Sequence, residues 1–167
     1  GGVGLLGDIR PKLLCEAPFT LGPPKGIRKT KATSVISTDG STVGKSNKET
    51  GLSPAGAWAF KNHATGEENS GSSFETTNNR MELKAVIEAM KSVPAGAGVI
   101  IRSDSKYVCN AVNSQHVLAG NHDLWQEFKN VSQGLRYRLD WVKGHAGDPF
   151  NEAVDKLARE TATAALK

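Results

Sequence analysis

The chain has 167 residues, two cysteines and a formal net charge of +4. A chain near this size buries roughly 70% of the surface its unfolded form exposes, which is enough for one domain with a sizeable core. Cys15 and Cys109 lie far apart with no CxxC or histidine cluster beside them, so neither a disulfide framework nor a zinc site is suggested. A reducing, cytoplasmic setting is expected. GGVGLLGDIR has neither the basic lead nor the apolar core of a signal peptide, and no apolar run is long enough to span a membrane. The expectation is a soluble monomer without membrane attachment. The missing initiator Met hints at a processed chain or a piece of a longer one.

The charge is uneven: residues 1–32 hold six Lys/Arg against two acids, and the remainder holds fifteen of each. Its sharpest piece is KGIRKTK, 25–31, after the stiff turn signal LGPP. Such an arm either contacts nucleic-acid phosphates or is a solvated linker or the trimmed end of a neighbouring domain. Residues 1–32 are accordingly read as a basic Gly/Pro-rich extension or linker, and 33–167 as the folded domain.

In chain order, ATSVISTDG (32–40) predicts a strand and AGAWAFKN (55–62) a second, across the turn-rich TVGKSNKETGLSP. SSFETT (72–77) is a weaker third strand. TTNNRMELKAVIEAM (76–90) predicts an amphipathic helix closed by Pro94 and the glycines of PAGAG. GVIIRSD (98–104) is a strand, SKYVCNAVN (105–113) a short helix, and DLWQEFKNVSQG (123–134) another. LRYRLDWVKG (135–144) is a fifth strand, and NEAVDKLARETATAAL (151–166) a long closing helix. Three strands in succession, then helix and strand alternating, imply an α/β mixed sheet with helices on its faces.

Acidic residues at the ends of these elements carry the chemistry. On the helix of 76–90, Lys84, Glu88 and Lys91 share a polar face, while Glu82 lines up with Ala85, Val86 and Ala89 on the apolar one. A carboxylate on a core-facing stripe must be satisfied by something. The spacing Asn79-x-x-Glu82 allows a capping box as the local explanation. Asp39 and Asp104 each leave an apolar strand, where an Asx-turn, or for Asp104 a helix cap, is the ordinary role. Asp155 lies on the border of the last helix, whose buried stripe is expected to be Val154, Leu157, Ala158, Thr161 and Ala165. If the two Asp-bearing strands are neighbours, their carboxylates fall side by side, which is costly unless a cation sits between them.

Together, four carboxylates at one sheet end would suit hard divalent ions such as Mg²⁺ or Mn²⁺. Two such ions about 4 Å apart can hold the attacking water and leaving oxygen of a phosphodiester in line. The expected chemistry is metal-assisted phosphodiester hydrolysis. His145, between Gly144 and Gly147, is cast as a proton carrier or phosphate contact rather than a metal ligand. His63, His116 and His122 are taken as surface residues.

From about residue 33 to 165 the chain resembles a type I ribonuclease H. The resemblance is carried by TDGS at 38–41, TTNNRMEL at 76–83, SDSKYV at 103–108, DLWQ at 123–126, WVKGHAG at 141–147 and NEAVDKLA at 151–158. It implies the ribonuclease H-like fold, a five-stranded mixed sheet of three antiparallel strands then two parallel ones, with helices on both faces. It also implies that Asp39, Glu82, Asp104 and Asp155 bind two Mg²⁺ ions, with Mn²⁺ a possible substitute and no small-molecule cofactor. His145 would assist proton transfer and product release. The implied substrate is the RNA strand of an RNA/DNA hybrid, cut internally without sequence preference to leave 5′-phosphate and 3′-hydroxyl ends.

An enzyme tells RNA from DNA chiefly through the 2′-OH, and amides suit it because they donate and accept. By resemblance, Asn78 and Asn79 lie along the RNA minor groove with Gly40 and Ser41 nearby. Thr77 helps hold a DNA phosphate, and Lys45, Lys106 and Asn151 are counted as further substrate contacts. Lys106 stands where a Gln often contacts the RNA, and Lys45 where Asn is found near the DNA phosphate pocket, which suggests more reliance on charge and a steep fall of binding with salt. Asp148 and Phe150 also depart from the common residues near His145. Between Tyr107 and Asp123 the chain has only VCNAVNSQHVLAGNH, where many members insert an extra basic helix. Residues 1–32 do not resemble the family's separate hybrid-binding domain, so KGIRKTK is the local candidate for extra grip. Alternatives remain: the ribonuclease H portion of a larger reverse-transcriptase-like protein, a catalytically silent hybrid-binding module, or a DNA-cutting relative. The four acids argue against silence, and NNRMEL with GHAG against the last.

Overall fold

A computed structural model describes residues 33–114, 120–144 and 147–167. The arm KGIRKTK, Cys15, His116 and His145 lie outside the described residues. Among the described residues nine elements follow one another: β1 (Thr33–Val43), β2 (Ser53–Asn62), β3 (Glu68–Thr76), α1 (Asn78–Lys91), β4 (Gly98–Ser103), α2 (Lys106–Ser114), α3 (His122–Ser132), β5 (Arg136–Trp141) and α4 (Pro149–Leu166). The strands form one five-stranded sheet in the order β3-β2-β1-β4-β5. β1–β2 and β2–β3 are antiparallel, while β1–β4 and β4–β5 are parallel.

Alternation along β2 sorts the two faces of the sheet. Phe60 joins Ile36, Leu83, Ile87, Met90, Trp125 and Phe128 in the larger core, under α1, α2 and α3. Its neighbour Ala59 points the other way, to Val154 and Ala158 of α4. Ala55 and Ala57 share that direction and are fully buried. A row of methyl groups lets α4 lie close to the sheet. Each large aliphatic side chain buried on the α1 face contributes about 1.5–3 kcal/mol.

Three expectations are corrected. β3 begins at Glu68 rather than at 72, because it is an edge strand whose ENSGSS half is polar on both faces and gives no alternation to read. The stripe of α4 is Asn151, Val154, Ala158 and Ala162, with Ala162 in place of Ala165 and Thr161 half-buried with its hydroxyl on Ser70. His63 is not a free surface residue. It is half-buried, accepts or donates a 2.7 Å hydrogen bond with Ser37 Oγ, and stacks on Phe150 with ring centroids 3.7 Å apart. Among the described residues, no helix is long and apolar enough to cross a membrane.

Candidate active site

The register of the central strands builds the site. β1 pairs with β4 as far as Ser37↔Arg102, while its pairing with β2 runs on to Val43↔Ala55. Two residues beyond the last parallel pair come Asp39 and Asp104, so the strands part where the two carboxylates stand opposite each other. Crevices outside the carboxyl ends of parallel strands are where open α/β sheets bind ligands. Asp39 is not in an Asx-turn: it lies within β1 opposite Ala59 and is 3% exposed.

The helix caps leave the other acids free. Thr77 is the N-cap of α1, its hydroxyl accepting from Arg80 N at 3.1 Å, so the Asn79–Glu82 capping box does not form. Ser105 does the same for α2, accepting from Val108 N at 3.2 Å, so Asp104 is not the cap. In both places a hydroxyl satisfies the helix end and the neighbouring carboxylate is left to the crevice.

As a result, Asp39, Glu82 and Asp104 offer carboxylate oxygens that all lie within 4.8 Å of one another. Burial, then the Asp104 charge, pushes the Asp39 carboxyl up to about 8. Burial, then the charges of Asp39 and Asp104, holds Glu82 well above the ordinary carboxylate range. One Glu82 oxygen, Oε1, is buried with no hydrogen-bond partner. An orphaned acceptor and crowded carboxylates with all-oxygen donors fit a hard divalent cation. Asp155 is outside the tight trio. It stands against Asp39 from α4 and is held by Arg159, whose Nη2 and Nε lie 3.0 and 3.2 Å from Oδ2.

Gly144 packs on this cluster: a Cβ there would sit 2.8 Å from Asp104 Oδ2. The start of α4 is tied down by contacts that no local sequence signal carries. Asp148 caps α4 through Phe150 N and Asn151 N, and its other oxygen meets Arg102 Nη2 at 2.9 Å. The helix begins at Pro149 rather than at the expected 151, because Asp148 and Pro149 supply a cap and a first-turn proline. Burial, then the Arg102 charge, lowers the His63 imidazole, with Asp148 opposing.

The remaining residues expected at the site are spread along this edge. Asn78 and Asn79 are exposed at the first turn of α1, and Asn78 Oδ1 accepts from Thr42 Oγ1 at 3.1 Å. Gly40 and Ser41 continue β1 past Asp39, and Lys45 lies exposed beyond it. Lys106 opens α2 and lies over the Trp141 ring. Asn151 is 3% exposed and begins the buried stripe of α4.

A mixed sheet of this order, with acids gathered where its central parallel strands part, is the ribonuclease H-like arrangement. A family model described as RNase H matches residues 31–163. A ribonuclease H of Campylobacter curvus is 40% identical over 124 residues, covering 65% of this chain and 83% of the relative. A ribonuclease HI of Helicobacter pylori is 37% identical over 138 residues, covering 77% of this chain and 92% of the relative. The chain therefore belongs to the type I ribonuclease H family, whose members are endoribonucleases of RNA/DNA hybrids.

Proposed function

We propose that this chain hydrolyses the RNA strand of RNA/DNA hybrids by a two-metal-ion mechanism, without sequence preference, leaving 5′-phosphate and 3′-hydroxyl ends. The observation that carries the reading is the convergence of Asp39, Glu82 and Asp104 within 4.8 Å, delivered by β1, α1 and the exit of β4. With Asp155 beside them, these residues would hold two Mg²⁺ ions, for which Mn²⁺ can substitute. When bound, such ions acidify an attacking water and neutralise charge on the phosphodiester.

The chain's own residues do the rest. Asn78 and Asn79 present amides to the 2′-hydroxyls of the RNA, with Gly40 and Ser41 alongside, while Thr77 and Lys45 hold the DNA backbone. Lys106 supplies a charge for the RNA backbone. His145 carries a proton to the leaving side. The sequence between Tyr107 and Asp123 carries no inserted basic segment, so the arm 25–31 is the further source of grip.

The reading is tested by incubating an end-labelled hybrid, an RNA duplex and a DNA duplex with the protein in Mg²⁺, and again in EDTA. Cleavage of hybrid RNA alone, lost in EDTA, with products that a ligase joins directly, supports it. An uncut hybrid, or products ending in 3′-phosphate, overturns it.

A further inference from the structure

Trp141 is the last residue of β5 and the parallel partner of Ser103, yet 45% of it is exposed. Its two ends are engaged differently. The indole Nε1–H donates to the backbone carbonyl of Asp104 at 3.1 Å, and the strand is tied again where Val142 N donates to Ser103 O at 2.9 Å. Over its face lies the Lys106 ammonium, 5.3 Å from the ring centroid. Lysine in the first turn of a helix is opposed by the helix dipole. Burying no tip and pairing with a π face, it is instead held by the ring quadrupole. Lys106 and the fixed backbone of Asp104 thus share one indole, two residues apart in sequence.

We infer that Trp141 is a positioning residue for substrate binding: its ring seats the Lys106 ammonium at the rim of the acid cluster, where it meets a phosphate of the RNA strand, and its N–H steadies the segment that carries Asp104. The phosphate contact rests on the hybrid-cleaving function proposed above, while the seat itself does not. A free lysine side chain loses rotamer entropy on each encounter with a phosphate; one already held over a ring has less to lose. The ring therefore acts on binding, through Lys106.

The test is a double-mutant cycle of Lys106→Met and Trp141→Leu, reading KM, kcat and the salt dependence of KM on a labelled hybrid. Lys106→Met should raise KM and flatten the logarithmic salt slope by about one unit. Trp141→Leu should raise KM roughly two- to fivefold and remove part of the same slope, and the double variant should have the KM and slope of Lys106→Met alone. A simply structural Trp141 would lower the melting temperature without this coupling. Additive effects on KM, or a Trp141→Leu slope equal to wild type, overturn the inference. Trp141→Phe keeps a ring without the N–H: its slope should exceed that of Trp141→Leu, and equality between two folded variants counts against the seat. The seat is also read without any substrate, because an ammonium over an indole shifts its ε-methylene protons upfield in an NMR spectrum. A shift absent from wild type, or persisting in Trp141→Leu, contradicts the inference whatever the nuclease activity. A wild type with the shift but no hybrid cleavage instead overturns the function proposed above.

Discussion

Gly40 approaches the first turn of α1 so closely that a Cβ built on it would sit 2.4 Å from the backbone nitrogen of Glu82 and 2.5 Å from the carbonyl carbon of Met81. Both neighbours are main chain and cannot swing aside. The glycine after Asp39 is thus what lets the strand carrying one acid touch the helix carrying another.

Gly40→Ala is therefore expected to push α1 away from β1. The strain should cost about 1–3 kcal/mol of stability, read by urea denaturation. The same displacement widens the Asp39–Glu82 gap, so hybrid cleavage should fall by more than the loss of folded protein explains. Wild-type stability and rate in this variant would contradict the close approach.

Burial and the neighbouring acids raise the Asp39 carboxyl to about 8, which gives the metal-free protein a pH dependence of definite sign. Between an unfolded value near 3.9 and the folded value, the native state binds more protons than the unfolded chain, so stability falls as pH rises. Asp39→Asn should remove much of this slope and, in EDTA at pH 8, raise the melting temperature. Saturating Mg²⁺ should raise the wild-type value by linkage and the variant's much less. Thermal melts across pH, with and without metal, check all three.

His63 supplies the opposite sign. Its imidazole is lowered by burial and by Arg102, so its contribution is complete above the unfolded value near 6.5 and is lost on acidification. The difference in stability between wild type and His63→Gln should therefore shrink as pH falls from about 7 to 5. A difference that is flat with pH would show that the ring on Phe150 does not sense its protonation.

Phe150→Ala removes the stacked partner of His63, and Arg102→Ala leaves Asp148 without its ion pair. Each should cost about 1 kcal/mol or somewhat more. Because both contacts hold the start of α4, kcat should drop more than stability does, through a looser Asp155. Unchanged kcat in folded protein would make the anchor purely structural.

How much of this was legible beforehand depends on the range of the interaction. Glu82 on an apolar stripe is a local conflict, and a 3.6-residue period is enough to expose it. Asp39 and Asp104 were legible only conditionally, since their meeting depends on β1 and β4 being parallel neighbours, a pairing that periodicity does not specify. The caps stayed open in the sequence because Thr77 and Asn79, and likewise Asp104 and Ser105, are good capping residues within a turn of each other; the hydroxyls take both places. His63, Phe150, Arg102 and Asp148 form one anchor from three distant segments. His63 and Arg102 are ordinary in their own segments, and the departures at Asp148 and Phe150 name no partner, so their joint role was invisible until the sheet placed β1, β2 and β4 side by side.

The central claim is that the converging carboxylates do the cutting, and the most direct measurement is the single-turnover cleavage rate of a labelled hybrid in saturating Mg²⁺ for wild type, Asp39→Asn and Glu82→Gln. Both substitutions keep shape and remove one charge. Rates at least about a thousandfold below wild type, in proteins that remain folded, are predicted. Rates within tenfold of wild type would contradict the account.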